Sequence, residues 1–274
     1  MLDQRPQPHR PRRSEHPPFP RILCAVDRYD AARTAIEQAI ALAGGGARIV
    51  FAAQWYGKGS LERAAEADEH AHDAAERAVE QAHEAGVEAR AEYFHSSRLS
   101  DALLSQSAWH DVVVVGAHPH SRATGIVLGE TATVLAHRCA IPVLVARRRP
   151  LAAGVVTATR AVPADRAVLT AAIHIAARVG AELTVVHVAE RGDERRQSEL
   201  KAELANARAL FGRPLDNLEV EGPAARAIVD VAEGDGAGLV VVGSEGRQGL
   251  PALRSVSERV AHSAPCSVLV VRER

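Results

Sequence analysis

Aromatic side chains are scarce in this 274-residue chain: Phe, Tyr and Trp together make up 3% of it, and there is a single Met. Any core must therefore be filled by Val, Leu, Ile and Ala, which a hydrophobic content of 47% readily supplies. Charge of one sign is missing as well. With 33 basic against 34 acidic residues the formal net charge is −1, so there is no long-range field to gather nucleic acid or an anionic membrane, and neither is expected as a partner. Cysteines are few and unpaired in pattern. Cys24, Cys139 and Cys266 are odd in number and lack CxxC spacing, which argues against a disulfide framework or a zinc knuckle and leaves three small buried hydrophobes. No apolar run approaches the ~20 residues of a membrane span, and no secretory hydrophobic region opens the chain. Cytoplasmic residence is the expectation.

What the chain does have is a doubled ending. The stretch from Val112 to Arg148 is echoed about 125 residues later by the stretch from Leu239 to Arg274. Each copy is an apolar run, a glycine-containing loop, a helix-like segment with an Ala-His pair (Ala136-His137, Ala261-His262) and a second apolar run. Two domains of about 130 residues follow, each large enough to bury a core without staples. Residues 1–20, rich in Pro and Arg, read as a tail with little to bury; residues 21–148 and 149–274 read as the two domains. The linker at Arg147 to Pro150 is short, which places the domains side by side.

Within each domain the pattern alternates. In the first, strands at ILCAVD, ARIVFAAQ, VEARAEYF, DVVVVG and IPVLVAR are separated by helices over about Ala31–Ala43, Leu61–Ala85, Leu99–Trp109 and Gly129–Arg138. In the second, helices are expected over about Ala164–Val179, Glu194–Phe211, Ala224–Glu233 and Val256–Ser263. Strands apolar throughout are buried on both faces, so the fold class is α/β, with two tandem doubly wound five-stranded, mainly parallel sheets. Ligands of such sheets sit outside the carboxyl ends of the strands where the winding reverses. In the first domain those ends are Val26-Asp27 and Gly116-Ala117-His118-Pro119, and the loop continues to Gly129, where a helix begins. A glycine loop feeding a helix N-terminus offers free N–H groups and a positive dipole end to a phosphate.

These segments, with LVVVGSEGRQGL and SVSERVAHSAPCSVLVV in the second half, give the chain its resemblance to the universal stress protein family in its tandem two-domain form, over residues 21–274. The resemblance implies a Rossmann-like strand order 3-2-1-4-5 and an adenine nucleotide site built on Gly-x2-Gly-x9-Gly-(Ser/Thr), with an Asp closing the first strand. Carried over, it implies a first site of Ala25, Val26, Asp27, Gly116, His118, Arg122, Gly129, Glu130 and Thr131, with Pro119 where the second Gly belongs and Glu130 where the Ser/Thr belongs. A weaker second site comprises Gly243, Gly246, Arg247, Ser255, Val256 and Ser257; there the loop is about two residues short, Arg254 stands for the third Gly and Arg160 for the Asp. ATP or ADP with Mg²⁺ is the implied ligand, or none if both loops are degenerate. The resemblance also implies pairing through the fifth strands, Val143-Leu144-Val145 with Val268-Leu269-Val270, inside one chain, and leaves a homodimer open.

The departures carry physical weight. Pro119 removes a donor from the phosphate loop, and Glu130 puts a carboxylate where, at an effective dielectric near ~20, it opposes a triphosphate by on the order of a few kcal/mol. The alternative is that Glu130 caps its helix, with Mg²⁺ or Arg122 offsetting the charge. His118-Pro119-His120 lacks a third ligand for a metal, and His70, His72 and His83 read as a solvated face. His137 and His262 read as packing or hydrogen-bonding residues. No nucleophile-base-acid arrangement is visible, so no enzymatic activity beyond slow, incidental ATP hydrolysis is expected. A regulatory or protective stress protein responsive to nucleotide and a nucleotide-free scaffold for an unknown protein partner are the two readings left open.

Overall fold

The computed structural model describes residues 17–27, 30–44, 46–55, 62–95, 98–117, 128–188, 194–244 and 255–272. The first half runs β1 (Arg21–Val26), α1 (Asp30–Ala43), β2 (Arg48–Trp55), α2 (Glu62–Glu84), β3 (Glu88–His95), α3 (Leu99–Ser107), β4 (Val112–Gly116), α4 (Glu130–Arg138) and β5 (Val143–Ala146). The second repeats it: β6 (Val155–Thr159), α5 (Arg166–Val179), β7 (Leu183–Val188), α6 (Glu194–Phe211), β8 (Asp216–Val220), α7 (Ala224–Gly234), β9 (Leu239–Ser244), α8 (Val256–Ser263) and β10 (Ser267–Arg272). The helix expected from Ala164 starts at Arg166 instead, because residues Pro163–Asp165 wind as a 3-10 turn. The helix expected to reach Trp109 ends at Ser107.

All ten strands form one sheet in the order β3-β2-β1-β4-β5-β10-β9-β6-β7-β8. Each half therefore has the order 3-2-1-4-5, parallel within itself. The halves join where β5 and β10 pair antiparallel, Val143 with Val270, Leu144 with Leu269 and Val145 with Val268. That pairing supplies each fifth strand with the ladder partner it would otherwise lack at an open edge.

Strand side chains alternate between two apolar layers. Ile22, Cys24, Val26, Ile49, Phe51, Val112 and Val114 pack under α1 and α2, with the second half's α5 and α6 on the same face. Leu23, Ala25, Val50, Val113, Val115 and Val145 pack on the other face with residues of α3, α4, α7 and α8. The chain thus leaves β1 toward one face and β4 toward the opposite one, which opens a crevice between their carboxyl ends.

A reciprocal polar clasp locks the halves. The buried Arg147 guanidinium donates to the carbonyls of Cys266 (3.0 Å) and Ala261, at the C-terminal end of α8. Arg272 donates to the carbonyls of Cys139 (2.7 Å) and Ala136 (2.6 Å), at the C-terminal end of α4. Each arginine places its cation against the negative end of the other half's helix dipole. Burial lowers the pKa of Arg147 to about 10, opposed by the Cys266 thiol, so it stays charged at neutral pH. Beside it, Gln38 of α1 donates to the Arg147 carbonyl (2.6 Å), and Ser267 bridges the two through its hydroxyl.

Candidate functional site

β1 pairs with β4 through Ile22 and Val112, Leu23 and Val113, Cys24 and Val114. Continuing that register sets Val26 beside Gly116, so Asp27 and Ala117 leave the sheet next to one another at the crevice mouth. Val26 is buried, Ala25 nearly so, and Asp27 and Gly116 are half-buried. The Asp27 charge reaches inward: burial first, then Asp27, pushes the Cys24 thiol far up, and this cysteine stays an inert hydrophobe.

On the far wall, Leu128 and Gly129 are buried and Gly129 is the N-cap of α4, at φ −62° and ψ 162°. Those dihedrals suit any residue, so the glycine is required by neither turn nor strain. Its value is that it brings no side chain to the cap. The Gly129 carbonyl accepts the N–H of Thr133 (3.0 Å), while Gly129 itself has no side chain with which to cap the helix start. The N–H groups of the first turn, from Glu130 through Ala132, have no earlier helical carbonyl to bond, which is the anion-binding geometry of a helix N-terminus.

Glu130 opens α4 on its exposed side. Its side chain is 71% exposed, and Arg98, just ahead of α3, approaches it at 3.9 Å. The offsetting cation among the described residues is therefore Arg98, a residue that spacing in the sequence gave no reason to choose. In that exposure the repulsion of a phosphate falls from the interior value toward ~1 kcal/mol at 4 Å. Thr131 is half-buried on the same first turn. His118, Pro119, His120 and Arg122 lie outside the described residues.

The second half differs at both walls. Gly243 is the penultimate residue of β9 and half-buried, and Gly246, Arg247 and Arg254 lie outside the described residues. The N-cap of α8 is Ser255, in the same backbone conformation as Gly129 (φ −64°, ψ 153°). The helix start thus falls one residue later than the Ala-His alignment places it, and Ser255 rather than Arg254 takes the Gly129 position. Its hydroxyl is committed: it accepts the N–H of Glu258 (3.2 Å) and meets the buried Ser257 hydroxyl at 3.2 Å. Val256 is exposed.

Opposite, Arg160 follows β6 as Asp27 follows β1, but it folds back on its own turn. Its N–H and guanidinium bond the Asp165 carboxylate at 2.5, 2.9 and 3.2 Å. The Thr159 hydroxyl lies 3.1 Å from Asp165 and 2.9 Å from Glu203, and takes the N–H of Ala161. Ala161 itself adopts φ 59°, a left-handed conformation that costs a non-glycine residue on the order of 1 kcal/mol. The carboxyl end of β6 is thereby closed by internal bonds. Nothing in residue order foretold that Asp165 would reach back to Arg160.

His137 and His262 stand away from both crevices at the junction of α4 and α8. Glu258 receives His137 Nε2 at 3.1 Å and lies 4.0 Å from His262 Nε2, while its other oxygen is buried without a hydrogen bond. Burial lowers the pKa of His262, opposed by Glu258 and reinforced by Arg147 and His137. His70, His72 and His83 are all exposed, the solvated face expected of them; on it the His72 ring lies 4.8 Å from that of Tyr93, which donates to Glu76 (2.7 Å). Among the described residues no cluster of three or more His, Cys, Asp or Glu could hold a metal ion, and no helix is long and apolar enough to cross a membrane.

Comparison with known proteins gives a consistent result. The family model for the universal stress protein family matches residues 18–147 and again 155–272. A universal stress protein of Mycolicibacterium smegmatis is 32% identical over 191 residues, which span 63% of this chain and 65% of that protein, just under two thirds of its length. A universal stress protein of Thermus aquaticus, named for its place beside a QAH/OAS sulfhydrylase, is 38% identical over 108 residues, covering 34% of this chain and 79% of the relative. Among solved structures, a universal stress protein from Archaeoglobus fulgidus superposes with a TM-score of 0.75 at 20% identity, covering 93% of this chain and 98% of that one; at that identity the likeness is one of fold.

Proposed function

The chain belongs to the universal stress protein family, and from that membership we propose that it is a regulatory or protective protein that binds an adenine nucleotide with Mg²⁺ in its first half. The observation carrying this reading is the start of α4: a buried glycine at the N-cap, first-turn N–H groups that have no earlier helical carbonyl to bond, and Asp27 across the crevice at the end of β1. In this reading Gly116 and Gly129 let the phosphates approach backbone, Asp27 holds the nucleoside end, and Arg98 offsets Glu130. His118 and Arg122, between β4 and α4 in sequence, are included in the proposed site on the family resemblance alone.

The second half is read as structural. Arg160 is bound to Asp165, and Ser255 already caps α8, so groups that would meet a ligand serve their own turns. Binding without catalysis is part of this reading: the described walls carry two carboxylates, Asp27 and Glu130, and Glu130 is exposed and faces Arg98. The cytoplasm is the compartment in which such a nucleotide-responsive protein would work.

Titration of Mg-ATP into the whole protein tests this directly. A ligand selective for the folded state raises stability by RT ln(1 + [L]/Kd), so the Tm is expected to climb with nucleotide. Because Glu130 is exposed and faces Arg98, Glu130→Ser is expected to tighten binding by about tenfold or less, the equivalent of ~1.4 kcal/mol. Absence of a Tm shift at millimolar Mg-ATP in both proteins would overturn the reading in favour of a nucleotide-free scaffold, and purified protein would then release no adenine absorbance on denaturation.

A further inference from the structure

On the helix-covered face of the second half, α5, α6 and the turn ahead of α5 line a cavity of about 520 Å³. That falls within the ~300–1,000 Å³ of small-molecule sites. Its origin lies in a difference between the repeats. In the first half α2 turns Ala71, Ala75, Ala78 and Ala82 into the core, and side chains that small let the helix settle on β2 and β3. In the second half α6 turns in Leu200, Leu204 and Phe211 instead, so its backbone rides higher over the sheet and packs chiefly on α5. Phe211 is the one aromatic residue of 149–274, and its ring sits under the Arg213 guanidinium, 4.3 Å from the centroid, outside the lining of the gap.

The floor of the cavity is apolar: Leu169, Ile173 and Ala207 line it and are buried. Leu210 forms a lip and remains 54% exposed, an apolar side chain left facing water beside an apolar hollow. A hydrocarbon body seated on the floor takes that side chain out of water, which is the favourable direction. The charged side chains of the lining are already engaged. Glu203 Oε2 lies 2.9 Å from the Thr159 hydroxyl at the end of β6, the Arg166 charge acts on the same carboxylate, and Glu199 is engaged as well. What the lining adds without charge is the Thr170 hydroxyl from α5 and the Asn206 amide from α6, groups that both donate and accept hydrogen bonds.

We propose that this cavity binds a small uncharged molecule with an apolar body and a single hydrogen-bonding group, the body lying on Leu169, Ile173 and Ala207 beside Leu210 and the group meeting Asn206 or Thr170. An ion of either sign is disfavoured, because its counter-charge in the lining is already taken and the apolar floor replaces none of the hydration it gives up. A bare metal ion is disfavoured on the same ground, and no ligand cluster for one exists among the described residues. The half whose crevice is closed by Arg160 and Asp165 thus keeps a ligand site between its helices. The cavity shares no residue with the proposed nucleotide crevice, so the failure of either reading leaves the other standing.

The test uses three probes of one shape, 2-naphthylethanol, 2-naphthylethylamine and the anion of 2-naphthylacetic acid, titrated calorimetrically into the full-length protein at neutral pH. The alcohol is expected to bind at least tenfold more tightly than either ion. Ala202→Trp and Asn206→Trp, at exposed positions lining the cavity, are each expected to abolish its binding; having two blocking variants guards against one that fails to fold, and urea unfolding checks both. The proposal is overturned if none of the three binds, if either ion binds as tightly as the alcohol, or if binding of the alcohol survives in both tryptophan variants.

Discussion

Single side chains at the junction of the halves carry more than their numbers suggest. Among the described residues Arg147 meets no carboxylate; the carbonyls of Ala261 in α8 and of Cys266 just beyond it, with the helix dipole, take that role. Arg147→Ala is expected to cost about 2–4 kcal/mol in urea unfolding, from lost charge-assisted hydrogen bonds and the void left behind. Arg272→Ala, at a more exposed position, should cost less. His262 adds a pH dependence whose sign can be worked out. Its folded pKa lies below the ordinary value near 6.5, so the unfolded chain binds the proton more readily and stability falls as pH drops below ~6.5. Comparing the wild type with His262→Gln between pH 7 and pH 5 isolates this contribution: the variant should lose less stability over that range. An equal loss in both proteins would remove His262 as the cause.

At the scale of elements, the strand-helix alternation was legible because strands buried on both faces leave long Val- and Leu-rich runs, and because a repeat supplies each run twice. Glu194–Phe211 and Val256–Ser263 stand where periodicity places them. Helix starts were harder to read. Pro163 lacks an N–H and opens a 3-10 turn before α5, and Ser255 caps α8 one residue after the position that alignment of the Ala-His pairs assigns. Close approach between elements was not legible at all. Gly238, ahead of β9, lies under the linker, and a Cβ built there would fall 1.9 Å from the Pro150 carbonyl oxygen and 3.1 Å from the Leu151 Cα. Backbone cannot swing aside as a flexible side chain can. Gly238→Ala should therefore destabilise the protein by several kcal/mol, a loss at the upper end of the ~0.5–3 kcal/mol that most substitutions cause, or beyond it. A thermal midpoint close to that of the wild type would show that the linker shifts easily.

For the whole molecule, the decisive feature is one sheet shared by two halves. Composition, the doubled ending and the apolar runs determined by themselves that the chain forms two copies of a doubly wound α/β unit, and they located the crevice between Asp27 and the Gly116–Gly129 loop. These properties are written in local periodicity and in the order of segments, both of which a linear chain displays. The charge environment of Glu130, the closure of the β6 end by Asp165, the exchange of Arg147 and Arg272 between helix ends and the cavity under Leu210 were decided only by tertiary structure. Each depends on residues distant in sequence arriving within a few ångströms of one another: Arg98 near Glu130, Thr159 near Glu203, Arg147 near Ala261. Burial and electrostatic pairing are set by such approaches, and no spacing along the chain encodes them.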